Sequence, residues 1–451
     1  MFDKIKKIHF VGVGGSGMCG IAEVLINMGY QISGSDISES KNVKYLRNLG
    51  ADISIGHNKD NVNKPHVVVV SSAISDDNIE IVYAKNNNIP VIPRAEMLAE
   101  LMRLKYSICV AGSHGKTTTT SLIGLILSGA DMDPTVVIGG RLKNLESNVK
   151  LGDGDFIVAE ADESDGSFLH YTPTIGIITN IDNDHMNFYK NMDKLKNTFA
   201  EFLNKVPFYG FSVLCGDDEN IRDILGDLTR PYKTYGLGKG NDYRAKKINL
   251  YPEKSSFRLL RKESELGEIA VNSSGMHNII NALGACAAGL EMGIGFEVIK
   301  EAILQYKGVG RRLEKVGDFN NITFYDDYAH HPTEIKLSLK SLKSIYPDKR
   351  IIAVFQPHRF TRTRDLYKEF PSSLKIADFV YITDIYSANE QAIEDISSEM
   401  IAEEFENKNK VKYIGDISEL ARQIKEKLQP GDICITLGAG DINKIIKRIS
   451  N

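Results

Sequence analysis

Short runs of β-branched and aromatic residues recur along this chain, and each is followed by a stretch with helical periodicity. The clearest runs lie at residues 8–13, 66–70, 107–111, 156–159, 174–178, 351–355, 379–382 and 433–437. They are continuously apolar rather than alternating, the pattern of strands buried on both faces, and strands separated by helices imply parallel pairing. The spacing therefore predicts an α/β architecture with helices on both sides of each sheet. A chain of 451 residues exceeds what one ordinary hydrophobic core organises, so two or three domains are expected. Strand-then-helix signals begin afresh three times, which places domains at residues 1–101, 102–310 and 311–451. The breaks are the proline-led segment 93–98, the strand that opens near Tyr106, and the stretch Gly308-Val309-Gly310-Arg311-Arg312. Residues 239–267 are polar and read as antiparallel strands and turns inserted late in the middle domain.

Composition removes several function classes. A formal net charge of −4 leaves no basic footprint, so nucleic acid is not an expected partner. No apolar run reaches the length of a membrane span. The opening MFDKIKKIHFVGVGGSG is broken by glycines and lacks a small-residue cleavage site, so it reads as a first strand rather than a signal peptide. Cys19, Cys109, Cys215, Cys286 and Cys434 are scattered without a CxxC pair. That excludes a disulfide framework or zinc site as the organising device and fits a reducing, cytoplasmic setting.

Two glycine-rich turns carry the chemistry. Gly12-Val13-Gly14-Gly15-Ser16-Gly17 follows the first strand and opens the predicted helix 18–28. GxGxxG between strand and helix lets a diphosphate approach the backbone at a helix N-terminus. Asp36 follows the second strand, where a ribose contact is expected. The pattern recognises a diphosphate, which leaves open a dinucleotide or a sugar nucleotide. The second turn, Gly112-Ser113-His114-Gly115-Lys116-Thr117, lies between strand 106–111 and a helix from Thr117. Backbone N–H groups of such a loop wrap phosphate oxygens, Lys116 would reach the β/γ-phosphates and the Thr117 hydroxyl would bind Mg²⁺. Val110 stands where the common phosphate loop has another glycine, so this is a shortened GxxGKT form. The next strand ends in Glu160-Ala161-Asp162-Glu163-Ser164-Asp165, and Glu160, directly at the strand end, is placed for a metal. Like charges so crowded need a cation or exposure. A third strand ends in Thr179-Asn180-Ile181-Asp182-Asn183-Asp184-His185, with His185 a candidate ligand or carboxylate partner.

GSHGKTTT, AEADESD and TNIDNDH resemble the Mur ligases of bacterial peptidoglycan synthesis. The resemblance continues, in order, through HNIINA, GRR, DDYAHHPTE and FQPHR, and so spans essentially the whole chain. Asp182, where relatives often carry Glu, and Asn187-Phe188, where Asp-Thr is common, depart from the pattern. VGVGGSGMCGIAEVL, GYQISGSD, DDYAHHPTE and FQPHRFTRTR are similar in particular to the branch that acts first in the pathway.

The resemblance implies three domains: Rossmann-like and UDP-sugar-binding, then a central P-loop-type ATPase, then a Rossmann-like C-terminal domain that admits the amino acid. It implies that Gly14, Gly15, Ser16, Gly17 and Asp36, helped by Ser71, Ser72 and Arg94, face a UDP-sugar rather than a dinucleotide. Gly112, Ser113, His114, Gly115, Lys116, Thr117 and Thr118 would hold the ATP phosphates, Asn278 and Asn281 the adenine, and Asp327 the ribose. Thr117, Glu160 and His185 would hold Mg²⁺, with Mn²⁺ an alternative, and His330, Arg359 and Arg362 would take the amino acid. Lys116, Arg312 and His330 are the implied catalytic groups. The implied reaction joins L-alanine to the lactyl carboxylate of UDP-N-acetylmuramate, through an acyl phosphate and a tetrahedral intermediate. It would serve peptidoglycan precursor synthesis, and with it cell-wall biogenesis, shape and division. A monomer or homodimer that closes on its substrates is expected.

Overall fold

The computed structural model describes residues 6–71, 73–138, 149–388 and 390–450. They form two compact units. One takes in the chain up to Arg244 with Leu260–Leu266 and Asn281–Ile303, and the other Ala245–Leu259, Gly267–Ile280 and the chain from Leu304 onward.

The first unit opens with β1 (Lys7–Val11), α1 (Ser16–Asn27), β2 (Gln31–Asp36), α2 (Lys41–Asn48), β3 (Asp52–Ile55), β4 (Val67–Val70), α3 (Ile79–Asn86), β5 (Val91–Pro93) and α4 (Arg94–Met102). Its sheet has the order β3-β2-β1-β4-β5, parallel at every pairing. The strand order reverses beside β1, and in such sheets ligands bind in the crevice beyond the strand carboxyl ends at that point. β1 stops at Val11, two residues short of the predicted run, because Gly12 turns the backbone left-handed at φ +79°.

The chain continues through β6 (Tyr106–Ala111), α5 (Lys116–Gly129), β7 (Thr135–Val137), β8 (Val149–Lys150), β9 (Phe156–Glu160), β10 (Ile175–Ile178), α6 (Met186–Tyr189), α7 (Met192–Asn204), β11 (Phe211–Cys215), α8 (Glu219–Ile224) and β12 (Tyr232–Gly236). These strands run β12-β11-β10-β6-β9-β7-β8, parallel except that β8 pairs antiparallel with β7. β6 sits mid-sheet, and its residues 107–111 are all buried, which fixes the loop that follows it. The expected polar insertion is a run of β13 (Tyr243–Leu250), β14 (Ser255–Arg261) and β15 (Ser264–Val271), followed by α9 (Met276–Glu291) and α10 (Phe296–Leu304).

The second unit carries β16 (Glu314–Phe319), β17 (Ile322–Asp327), α11 (Pro332–Ile345), β18 (Ile351–Phe355), α12 (Phe360–Leu366), α13 (Phe370–Leu374), β19 (Phe379–Ile382), α14 (Glu399–Glu403), β20 (Val411–Tyr413), α15 (Ile417–Lys427), β21 (Ile433–Leu437) and α16 (Ile445–Ser450). Its sheet order is β16-β17-β21-β18-β19-β20, parallel apart from the β16–β17 pairing. Successive strand residues feed opposite layers. Ile351, Ala353, Phe355, Ile433, Ile435 and Leu437 pack with Ile335, Leu339 and Leu342 of α11. Ile352, Val354 and Cys434 pack with Leu420 and Ile424 of α15 and Ile445 and Ile449 of α16. All five cysteines are buried and none of them forms a disulfide, and no helix among the described residues is long and apolar enough to cross a membrane.

Ile435 is fully buried in β21, between β17 and β18. Ile435→Ala is expected to cost about 2–5 kcal/mol and Ile435→Val about 0.5–1.5 kcal/mol. Urea unfolding of the two variants checks the ranking.

Candidate active site

The first glycine turn is held by the end of β2. The Ser35 carbonyl accepts from the N–H groups of Gly12 at 2.9 Å and Val13 at 3.0 Å. The Asp36 carboxylate accepts from Gly14 N–H at 2.8 Å. A Cβ on Gly14 would fall 2.7 Å from Asp36 Oδ2 and 2.9 Å from Ser40 Oγ, so any other residue would displace the Asp36 carboxylate that holds the turn. At Gly17 a Cβ would lie 2.9 Å from Arg94 Nη1, which puts the Arg94 guanidinium beside the first turn of α1. Gly15 caps α1 without a side-chain hydrogen bond, and a helix N-terminus whose cap residue supplies no acceptor suits an anion. Ser71 N–H bonds Val11 carbonyl at 3.2 Å at the end of β4. Ser16 is the first residue of α1, and Ser72 lies outside the described residues.

The second turn is a backbone cradle. Gly112 has φ +126° and Gly115 φ +84°, conformations that disfavour any residue with a Cβ. A Cβ on Gly112 would collide with Thr179 Oγ1, and one on Gly115 would sit 2.5 Å from Asn281 Oδ1. The loop is clasped by the segment after β10. Asn180 Oδ1 accepts from His114 N–H at 2.9 Å, while Thr179 Oγ1 and Asn180 Nδ2 donate to His114 carbonyl at 2.5 and 2.9 Å. Asp182 N–H donates to Ser113 Oγ at 2.9 Å, and the Asp182 carboxylate meets His114 Nε2 at 2.9 Å. Sequence reasoning assigned no role to Thr179, Asn180 or Asp182. Their position just past a buried strand was the available signal.

Lys116 reaches back over this turn. Its ammonium donates to Gly112 carbonyl at 2.7 Å and to the two Glu163 oxygens at 2.9 and 3.1 Å. Burial opposes the ammonium charge, but Glu163, Asp162 and Glu160 outweigh it and hold the pKa above the usual lysine value. The crowded acids expected to need a cation thus find one in the chain itself. Glu160 ends β9, where it pairs with Val110 of β6, whereas the fully buried Glu163 is the direct Lys116 partner. His185 has a left-handed backbone, φ +60°, and its Nε2 lies 3.6 Å from Asp184 and 3.9 Å from Glu163. Thr117 and Thr118 are buried in the first turn of α5.

In the second unit, the adjacent arginines differ. Arg311 is fully committed: Nε to Asp326 at 2.9 Å, Nη1 to Gly440 carbonyl at 2.8 Å and Nη2 to Gly438 carbonyl at 2.6 Å. Among the described residues Arg312 approaches Glu334 at 3.6 Å and lies over the Tyr328 ring at 5.1 Å. Asp327 is buried and accepts from Ser338 Oγ at 2.5 Å and Ala329 N–H at 3.0 Å. Burial pushes its carboxyl up to about 6, against the pull of Ser338 and Arg312 and with a push from Glu334. His330 N–H bonds Glu334 at 3.0 Å, and its ring lies 5.6 Å from that of His358. His358 stacks on Tyr386 at 5.7 Å and 9° and meets Arg362 Nη1 at 3.3 Å. Arg359 caps α12 with φ +75° and donates its N–H to Tyr386 carbonyl at 2.8 Å. The His330 ring and Arg362 Nη1 therefore lie beside His358, with Arg359 its neighbour in the chain, and the motif FQPHR does not by itself single out His358. Asn278 donates to Ser273 Oγ at 2.8 Å and Ser274 carbonyl at 2.7 Å. Its Oδ1 is buried with no partner among the described residues.

Family patterns match three successive stretches with this geometry. "Mur ligase family, catalytic domain" matches residues 7–106, "Mur ligase middle domain" 110–289, and "Mur ligase, glutamate ligase domain" 311–440. The chain belongs to the Mur ligase family. Its three-domain α/β organisation is the one the sequence led us to expect. Among Mur ligases it is 50% identical over 445 residues to the UDP-N-acetylmuramate–L-alanine ligase of Geobacter sulfurreducens, covering 98% of this chain and 96% of that one. The solved UDP-N-acetylmuramate–alanine ligase of Thermotoga maritima is 29% identical, with a TM-score of 0.82 and 98% of each chain covered. A murein peptide ligase from Psychrobacter arcticus, 23% identical with a TM-score of 0.70, shares the fold.

The neutral Asp327 carboxyl is favoured by the fold. Its contribution to stability is present below about pH 4, the unfolded value, and is lost as pH rises through about 6. Between pH 4 and 7 the melting temperature of wild type minus that of Asp327→Asn should therefore fall, as measured by thermal scans of both proteins across that range.

Proposed function

We propose that this chain is an ATP-dependent ligase that joins L-alanine to the lactyl carboxylate of UDP-N-acetylmuramate. The observation that carries the catalytic reading is Lys116 folded over the Gly112–Gly115 turn against Glu163. The choice of substrates rests on near-half identity, along the full length, to relatives with that activity.

A carboxylate resists attack by an amine because oxide is a poor leaving group. Transfer of the γ-phosphoryl group of ATP makes an acyl phosphate. The alanine amine adds to its carbonyl carbon to give a tetrahedral intermediate, which collapses to the amide and inorganic phosphate. The first step brings two anions together, so cationic groups must meet the developing charge. Lys116 is pre-placed for this, and Glu163 keeps it oriented before phosphate arrives. Arg312, less engaged than Arg311, is the second cation. The turn at Gly112–Thr118 offers its N–H groups to phosphate oxygens. The unpartnered Asn278 Oδ1 is a ready acceptor for an adenine amino group, with Asn281 and Asp327 assigned to adenine and ribose. His330, Arg359 and Arg362 take the amino acid, since a guanidinium pairs with a carboxylate in two-point fashion. Gly14, Gly15, Ser16, Gly17, Asp36, Ser71, Ser72 and Arg94 form the UDP-sugar site.

Thr117 and Glu160 supply the oxygen donors that Mg²⁺ prefers, and the imidazole of His185 also suits Mn²⁺. A divalent ion bound there would neutralise phosphate charge during transfer.

Lys116→Ala should lower kcat by at least about 10²–10³-fold. Phosphate release should require L-alanine with UDP-N-acetylmuramate. Release only with a UDP-muramoyl acceptor that already carries an amino acid would overturn the substrate assignment.

A further inference from the structure

Glu80 lies on the first turn of α3, where an acid is ordinarily solvated, yet it is fully buried. Each of its oxygens is used twice. Oε1 accepts from Asn58 N–H at 3.1 Å and from Asn61 Nδ2 at 2.7 Å. Oε2 accepts from Ser35 Oγ at 2.7 Å and meets His9 Nε2 at 3.1 Å. The network extends outward, because His9 Nδ1 lies 2.9 Å from Ser33 Oγ and Ser35 Oγ lies 3.0 Å from His57 Nδ1. One carboxylate thus joins β1, β2, α3 and the loop after β3. Burial opposes its ionisation, but the hydrogen bonds from His9, Ser35, Asn61 and Asn58 prevail and hold the carboxyl down at about 2. None of these groups takes part in the chemistry proposed above.

The consequence runs through Ser35. Its side chain is fixed by Glu80, and its carbonyl holds the N–H groups of Gly12 and Val13. The next residue, Asp36, holds Gly14. We infer that Glu80 is a positioning residue for the UDP-sugar: by fixing the end of β2 it sets the glycine turn that receives the diphosphate. This rests on the reading of Gly12–Gly17 as that site.

The test is steady-state kinetics with each substrate varied, together with UDP binding by titration calorimetry, on Glu80→Ala, Glu80→Gln and Ser35→Ala. Glu80→Ala and Ser35→Ala should raise the KM for UDP-N-acetylmuramate and the Kd for UDP by at least about tenfold. The KM values for ATP and L-alanine, and kcat at saturation, should stay within about twofold. Glu80→Gln should recover most of the loss. Its amide oxygen can serve Asn58 and Asn61, and its NH₂ can donate to His9 Nε2 and Ser35 Oγ. His9 then carries its proton on Nδ1 toward Ser33, and Ser35 turns its own proton to His57. Lower thermal stability with an unchanged KM for the UDP-sugar, or equal loss on all three substrates, would overturn the inference. If Glu80→Ala does not fold, Ser35→Ala decides, since it cuts only the link to β2. Gly14→Ala separates the two readings. If it raises the UDP-sugar KM while the Glu80 and Ser35 variants do not, this inference alone fails. If it leaves that KM unchanged, the site assignment fails with it.

Discussion

Parallel strands covered on both faces have only their ends free for polar chemistry, and this constraint organises everything else in the molecule. β6, β9, β10 and β18 are apolar along nearly their whole lengths, and each gives way to Gly, Glu, Thr-Asn or Gln as it leaves the sheet. A buried strand fixes its own last residue to within the tolerance of core packing. The first polar residue past that point is therefore positioned at no further cost in order. Residues distant in sequence come together because their strands are neighbours, as with Ala111 beside Ile178 in the pairing of β6 with β10.

Charge is handled by the same economy. The cluster after β9 gathers Glu160, Asp162 and Glu163 around a single ammonium, so Lys116 is kept charged, oriented and partly desolvated before any ligand arrives. A group prepared in this way has little reorganisation left to perform when phosphate charge develops. The clasp of Thr179, Asn180 and Asp182 on Ser113 and His114 does for the backbone what Glu163 does for the side chain. Both devices hold in one fixed shape atoms that would otherwise be flexible.

The sheets and the two glycine turns were legible because their signals are local. A continuous apolar run needs no partner to be recognised, and Gly112 and Gly115 announce left-handed backbone in any context. Lys116 and Thr117 follow from the same six-residue window. What stayed hidden depends on long-range pairing. Glu163 could not be picked from four neighbouring acids, because the choice turns on how the chain leaves β9. Glu80 reads as a solvated acid on a helix start, and Ser35 of β2, His9 of β1 and Asn58 and Asn61 of the loop after β3 together make its burial tolerable. The stacking of His358 on Tyr386 joins residues on different strand ends, which no spacing rule foresees.

The two consecutive arginines show how far identical residues can diverge. Arg311 spreads its guanidinium over one carboxylate and two glycine carbonyls. That three-way geometry needs a flat, forked cation, and a lysine placed there would leave acceptors stranded in the interior. Among the described residues Arg312 shows no such pattern, with Glu334 at 3.6 Å and the Tyr328 ring at 5.1 Å beside it. A positive charge alone is therefore not what the position of Arg311 requires, because exchange for lysine would oblige Asp326, Gly438 and Gly440 to find new donors.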